Sequence, residues 1–265
     1  MFVGLVSLSY CALTAFGLRG GLQGGGLQGC GRIEADWEGR VLAVLAFGAA
    51  SLLLGPLYGI ALTLSVMVHE FGHVAAYRVI GHDDARFRFL PLLGGVAISD
   101  RLPGTEEESF FVSLMGPGIC VAPMVAAFAI APIAAEVSPL AGEFLLTFAE
   151  VTGALNFFNL LPLWPLDGGR CARNVVAAIS PAAATQLSAI MAAALIAAAI
   201  AMQSVALVFF ALMGAQSVLF AGGDFGQRRM SPRRALLALS AWIAVTATFA
   251  TGGWPVISWL FGLVG

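Results

Sequence analysis

Lysine is absent from the 265 residues: all 13 basic side chains are arginines, and charged residues of both signs make up only 11% of the chain. With 15 acidic residues the formal net charge is −2, too small to point to nucleic acid as a partner. Cysteine is scarce too. Cys11, Cys30, Cys120 and Cys171 show no C-x-x-C spacing and fall in different segments, so they read as small apolar residues rather than a disulfide or zinc framework. No basic residue precedes the first apolar run, residues 1–18, and Arg19 follows it directly. That charge order reverses that of a secretory signal and predicts a retained first span with the N-terminus outside. Nothing in the chain is long and polar enough to form a soluble appendage domain.

What fills the space is hydrocarbon. Hydrophobic residues reach 59%, well above the roughly 45–50% of a soluble domain, and predict an all-α polytopic membrane protein. After the first run comes a glycine-rich connector over residues 20–40, containing GGLQGGGLQGCG. Residues 41–80 are too long for one crossing at about 1.5 Å per residue, and Gly55-Pro56 splits them into a short span and a second helix. In the polar interval 81–108, Arg86-Phe87-Arg88-Phe89-Leu90 alternates as a strand does, and Leu93-Gly94-Gly95-Val96 can turn it into a second strand ending near Ile98. A small β-hairpin is expected there. Thr105 and Glu108 have capping-box spacing, so the triplet Glu106 to Glu108 marks a helix start rather than a binding patch.

Further spans are expected near 109–133, 145–166, 183–201, 204–222 and 235–252, with Trp254 and Trp259 suited to a membrane interface. Gly116-Pro117-Gly118 lets another helix come close or kinks its own. Pro162 and Pro165 cannot continue a regular helix, so the backbone up to Leu166-Asp167-Gly168-Gly169 is expected to be extended or irregular. Such backbone survives at membrane depth only when buried in protein or lining a wet cavity. About eight transmembrane helices then put every arginine-bearing loop on one face, the cytoplasmic one by the positive-inside rule.

One polar island interrupts this apolar chain. His69-Glu70-Phe71-Gly72-His73 holds two of the three histidines, and side chains four apart on a helix share a face. The pair can offer two imidazole nitrogens to one cation. Glu70 beside them can take a proton from a metal-held water without being a ligand, which is the chemistry of the H-E-x-x-H pattern. A five-residue pattern with two free positions also arises by chance. Against chance stands the cost of an ionisable group at bilayer depth, about 2.5 to 3.5 kcal/mol unless something satisfies it. His73 is expected about 10 Å inside the cytoplasmic edge. Asp167 approaches from the same edge, and two imidazoles with one carboxylate leave a fourth position for water, as in a catalytic zinc site. His82, in the polar turn after the span, is not expected to be a ligand. Asn156 suits helix–helix hydrogen bonding and substrate contact equally well. Glu136, Glu143 and Glu150 are given no chemistry.

Over roughly residues 57–173 the chain resembles the site-2 proteases, the intramembrane zinc metalloproteases. The likeness rests on His69 to His73, Leu93-Gly94-Gly95-Val96, Gly116-Pro117, and the run from Asn159 through Pro162 to Leu166-Asp167-Gly168-Gly169. It implies a three-helix catalytic core at 57–173, flanked by N-terminal spans and connector at 1–56 and C-terminal spans at 174–265. It further implies one zinc ion per chain held by His69, His73 and Asp167, Glu70 as catalytic base, and substrate contacts at Asn159, Gly94 and Gly95. The expected substrates are single-pass membrane proteins cut within or near their spans, with a regulatory membrane protein as a further partner. The expected place is a bacterial inner membrane, the active site near the cytoplasmic face. The chain departs from the family in having Gly118-Ile119-Cys120 where members carry an asparagine, and in having no PDZ or CBS domain. Two other readings stay open: a metal or proton transporter using the His/Asp site, and an inactive relative that binds membrane helices. The first lacks the internal repeat that transport folds show, and the second has no need of Glu70.

Overall fold

The computed structural model describes residues 2–19, 55–88, 96–201, 203 and 227–262, together with 41, 44, 45, 47, 48, 51, 52 and 54. Its elements in order are α1 (Phe2–Leu18), α2 (Pro56–Val79), β1 (Arg86–Arg88), β2 (Val96–Ile98), α3 (Glu106–Val137), α4 (Pro139–Asn159), α5 (Asp167–Ala177), α6 (Pro181–Ala201), α7 (Pro232–Gly252) and α8 (Trp254–Leu260). Among the described residues α2, α3, α6 and α7 are long and apolar enough to cross a membrane. The protein is thus a mostly helical, multi-pass membrane protein. The connector at 20–40 and the crossing expected at 204–222 lie outside the described residues, as do residues 42, 43, 46, 49, 50 and 53 of the one expected at 41–55. The crossing expected over 145–166 is the helix Pro139–Asn159 instead. It stops before Pro162, which has no N–H to continue the ladder and disfavours helix in the residue before it.

The residues group into two compact units. The first comprises residues up to Leu102, Met115–Phe158 and Ala247 onward. Its axis is α2. Gly55, with φ of 91°, turns the chain into Pro56 at the start of the helix. At the other end Gly81 takes φ of 90°, its N–H donates to the Arg78 carbonyl at 3.1 Å, and the His82 N–H donates to the Tyr77 carbonyl at 2.9 Å. That is a Schellman stop, and a side chain at Gly81 would strain it. α1 lies along α2 and α3, its Ser7 hydroxyl donating to the Val125 carbonyl at 3.2 Å. The junction of α7 and α8 meets α4 where Gly153 and Gly253 touch backbone to backbone, and a Cβ on either would overlap the other strand of chain. The expected interfacial tryptophans Trp254 and Trp259 are exposed on α8.

β1 and β2 pair antiparallel with Arg86 opposite Ile98 and Arg88 opposite Val96. Their connection, including Gly94 and Gly95, lies outside the described residues. What pins the strands to the end of α2 is a polar knot around Asp84. Its carboxylate accepts from the Asp100 N–H at 2.6 Å, the Ser99 hydroxyl at 3.0 Å and the Arg101 guanidinium at 3.2 Å. His82 bonds Ser99 at 2.8 Å.

The second unit comprises Pro103–Leu114 and Asn159–Thr246. The capping box is formed: the Glu108 N–H donates to Thr105 Oγ1 and the Thr105 N–H donates to Glu108 Oε2, each at 3.1 Å. Its neighbours are used as well. Buried Glu106 accepts from the Met230 N–H at 2.8 Å, and Glu107 pairs with Arg234 at 3.1 Å. Beneath them Phe110, Cys171, Met230 and Ala235 form an apolar cluster. Cys171 and Cys120 are fully buried free thiols, the small apolar role expected of them.

The Asp100 N–H above all, with Ser99 and Arg101, holds the Asp84 carboxyl far below the ordinary carboxylate range, against a smaller opposing push from burial. A carboxylate lowered on folding stabilises above its unfolded value of about 3.9 and loses that contribution as pH falls toward the folded value. Hydrogen-exchange protection of the Ser99–Arg101 amides should therefore hold at neutral pH and fade only below about pH 4. Asp84→Asn should lower it already at neutral pH; equal protection in the variant would show that the knot does not hold the strands.

Candidate metal centre

Polar residues on α2 and α4 recur every fourth position, Ser65, His69 and His73 on one helix, Thr152 and Asn156 on the other. On a helix that spacing makes a single face. The two faces meet. Ser65 Oγ and Thr152 Oγ1 lie 2.5 Å apart, and one turn on His69 Nδ1 lies 2.7 Å from Asn156 Oδ1. Every member is buried: Ser65 and Asn156 at 0% exposure, Thr152 at 1%, His69 at 4% and His73 at 8%. The histidine rings pack edge to face with centroids 4.9 Å apart, and their Nε2 atoms face each other at 3.1 Å. Two imidazole nitrogens this close in a buried place can turn their lone pairs to one cation.

The seat for His73 is a missing side chain. A Cβ on Gly116 of α3 would fall inside the His73 ring, and one on Gly72 of α2 would strike the Met115 carbonyl. The first glycine of the Gly116-Pro117-Gly118 triplet therefore admits α2, as close packing predicts, and what it admits is the His73 imidazole. Gly118 has no such duty, since a Cβ there would meet only Met115 Sδ at 3.5 Å. Glu70 is half-buried, its charge within reach of the Cys120 thiol on α3.

In the other unit Asp167 is the first residue of α5 and is 8% exposed. It follows the irregular stretch that the prolines predict. There Leu166 N–H returns to the Leu163 carbonyl at 2.9 Å, and Trp242 Nε1–H donates to the Leu160 carbonyl at 3.1 Å. Gly168 and Gly169 lie against the Leu160, Leu161 and Leu163 carbonyls so closely that a Cβ on either would overlap them. The Asp-Gly-Gly sequence thus places a buried carboxylate at a helix start, where the dipole favours its charge. Asn159 is half-buried at the end of α4, and His82 belongs to the Asp84 knot.

In the first unit His69 and His73 offer two imidazole nitrogens, and in the second Asp167 offers a buried carboxylate. Two imidazoles and one carboxylate suit zinc with an open position. The Asn156 oxygen on His69 Nδ1 is the outer partner that a metal-bound histidine ordinarily has.

His69 and His73 form a buried imidazole pair on a helix long and apolar enough to cross a membrane. The profile of peptidase family M50 matches residues 134–204. Stage IV sporulation protein FB of Bacillus subtilis is 32% identical over 123 residues, 46% of this chain and 41% of that protein. A zinc metalloprotease of Methanocaldococcus jannaschii is 28% identical over 118 residues, 44% of this chain and 34% of that one. The chain thus spans about two fifths or less of the curated relatives it matches. The solved site-2 protease from Methanocaldococcus jannaschii aligns with TM-score 0.41 and 21% identity over 73% of this chain and 92% of that one. Over these stretches the chain is similar to M50 peptidases.

Gly116→Ala should force the His73 ring aside and lower zinc affinity by about 10- to 100-fold, the range seen when a ligand loses its orientation. Gly118→Ala should leave it unchanged, both read by competition with a chromogenic chelator. Equal affinity in the two variants would mean that the ring's seat is not set by Gly116.

Proposed function

We propose that the protein is an intramembrane zinc metalloprotease that cuts peptide bonds in or near the transmembrane segments of single-pass membrane proteins. The observation that carries this reading is the buried pair of Nε2 atoms 3.1 Å apart, with Glu70 next to His69 in the same helix. The relatives' printed names, zinc metalloprotease among them, support it. His69, His73 and Asp167 would hold the ion. Zinc, when bound, supplies Lewis-acid activation of water and of the scissile carbonyl.

The rest is the work of the chain. Glu70 accepts the proton released by the attacking water and passes it to the leaving amine nitrogen, so that a poor leaving group departs neutral. Water must reach a site walled by hydrocarbon, and the substrate helix must unwind, because its carbonyls are otherwise spent in its own hydrogen bonds. The end of α4 and the two short strands suit the holding of an unwound segment. Asn159 would bond substrate backbone, and the Gly94-Gly95 turn would flank it by strand addition. The arginine distribution supports an active site near the cytoplasmic face, and we assign the protein to a bacterial inner membrane. Selection of substrates falls to the membrane core or to a regulatory membrane protein.

The purified protein should bind about one zinc ion per chain and cut a panel of transmembrane peptides. Glu70→Gln should keep the zinc and lose cleavage by about 100-fold or more. Undiminished cleavage in that variant would remove Glu70 from the chemistry; zinc passage across vesicles without any cleavage would favour a transporter instead.

A further inference from the structure

We propose that Asn156 is a positioning residue for the metal centre: its side-chain oxygen holds His69 in the Nδ1–H tautomer and thereby aims the Nε2 lone pair at the ion. This inference rests on the zinc reading above. Asn156 is fully buried, and the direction of its amide is fixed from its other end. Its Nδ2 lies 2.8 Å from the Thr152 carbonyl, an atom that can only accept. The amide oxygen is therefore the atom 2.7 Å from His69 Nδ1, and an acceptor there requires that nitrogen to carry the proton. In the neutral ring the lone pair then sits on Nε2, the atom that faces His73 Nε2 at 3.1 Å. The other tautomer would set an acceptor against an acceptor, Nδ1 against the amide oxygen or, with the amide turned over, that oxygen against the Thr152 carbonyl.

Two neighbours keep the amide where it is. One turn back, the Ser65 and Thr152 hydroxyls pair at 2.5 Å, so the axial register of α2 against α4 is set before the imidazole is reached. The Cys120 thiol touches the same amide from α3. Simple helix adhesion would be served by the Ser65–Thr152 pair alone. Of the two rungs, the one at Asn156 reaches the His69 ring. Partners of this kind in other metal sites change affinity by about 10- to 100-fold when removed.

The test uses the full chain in lipid nanodiscs with histidine rings labelled with nitrogen-15. In the zinc-free protein His69 should show the Nδ1–H signature, and zinc affinity is read by chelator competition. Asn156→Leu should abolish that signature and weaken zinc by about 10- to 100-fold. Asn156→Asp, which keeps an acceptor oxygen, should stay close to wild type, and so should Ser65→Ala, which removes the neighbouring rung but not the acceptor. Wild-type tautomer and affinity in Asn156→Leu would overturn the proposal, as would an equal loss in Ser65→Ala or a failure of Asn156→Asp to retain both. If the wild type takes up no zinc, the zinc reading fails, and the tautomer comparison still decides the role of Asn156.

Discussion

The structure depends on the meeting of two polar stripes inside hydrocarbon. Ser65, His69 and His73 cannot be solvated by lipid, and neither can Thr152 and Asn156. Each stripe is therefore tolerable only against the other, which fixes both the rotation of α2 and α4 about their axes and their relative height. Hydrogen bonds between membrane helices contribute only about 0.6 kcal/mol each on average. Two rungs of that size do not account for stability; what they set is register, and the register places the His69 ring against Asn156.

Glycine does the complementary work. Gly116 leaves room for the His73 ring, Gly72 for the backbone of α3, and Gly153 and Gly253 for each other. In lipid there is no hydrophobic drive between helices, so contact must come from backbones able to approach closely. The same device recurs in the other unit, where Gly168 and Gly169 lie against the carbonyls of the turn before them and bring Asp167 to the first position of α5. At both places a missing side chain adjoins a side chain proposed to hold the ion.

Much of this was legible in the chain itself. H-E-x-x-H spacing on an apolar run, the Gly55-Pro56 break, the Thr105/Glu108 cap and the stop before Pro162 each follow from local chemistry that tertiary context does not override. The bounds of α3 were less legible: it runs unbroken from Glu106 to Val137 with Pro117, Pro123 and Pro132 inside, so prolines that suggest a kink do not end this apolar, membrane-length helix. The role of Asn156 was not legible, because a lone amide on an apolar helix suits a substrate contact as well as a helix contact. The signal that separates them is a pair of i, i+4 stripes, and it becomes visible only once Ser65 and Thr152 are known to face each other.

The central claim is that His69, His73 and Asp167 share one zinc ion. Zinc-edge X-ray absorption of the purified protein tests it most directly. The account predicts two imidazole shells and a carboxylate oxygen at about 2.0–2.2 Å, with the carboxylate contribution lost in Asp167→Ala and an imidazole lost in His69→Ala. A spectrum unchanged by Asp167→Ala, or one showing sulfur at about 2.3 Å, would contradict it.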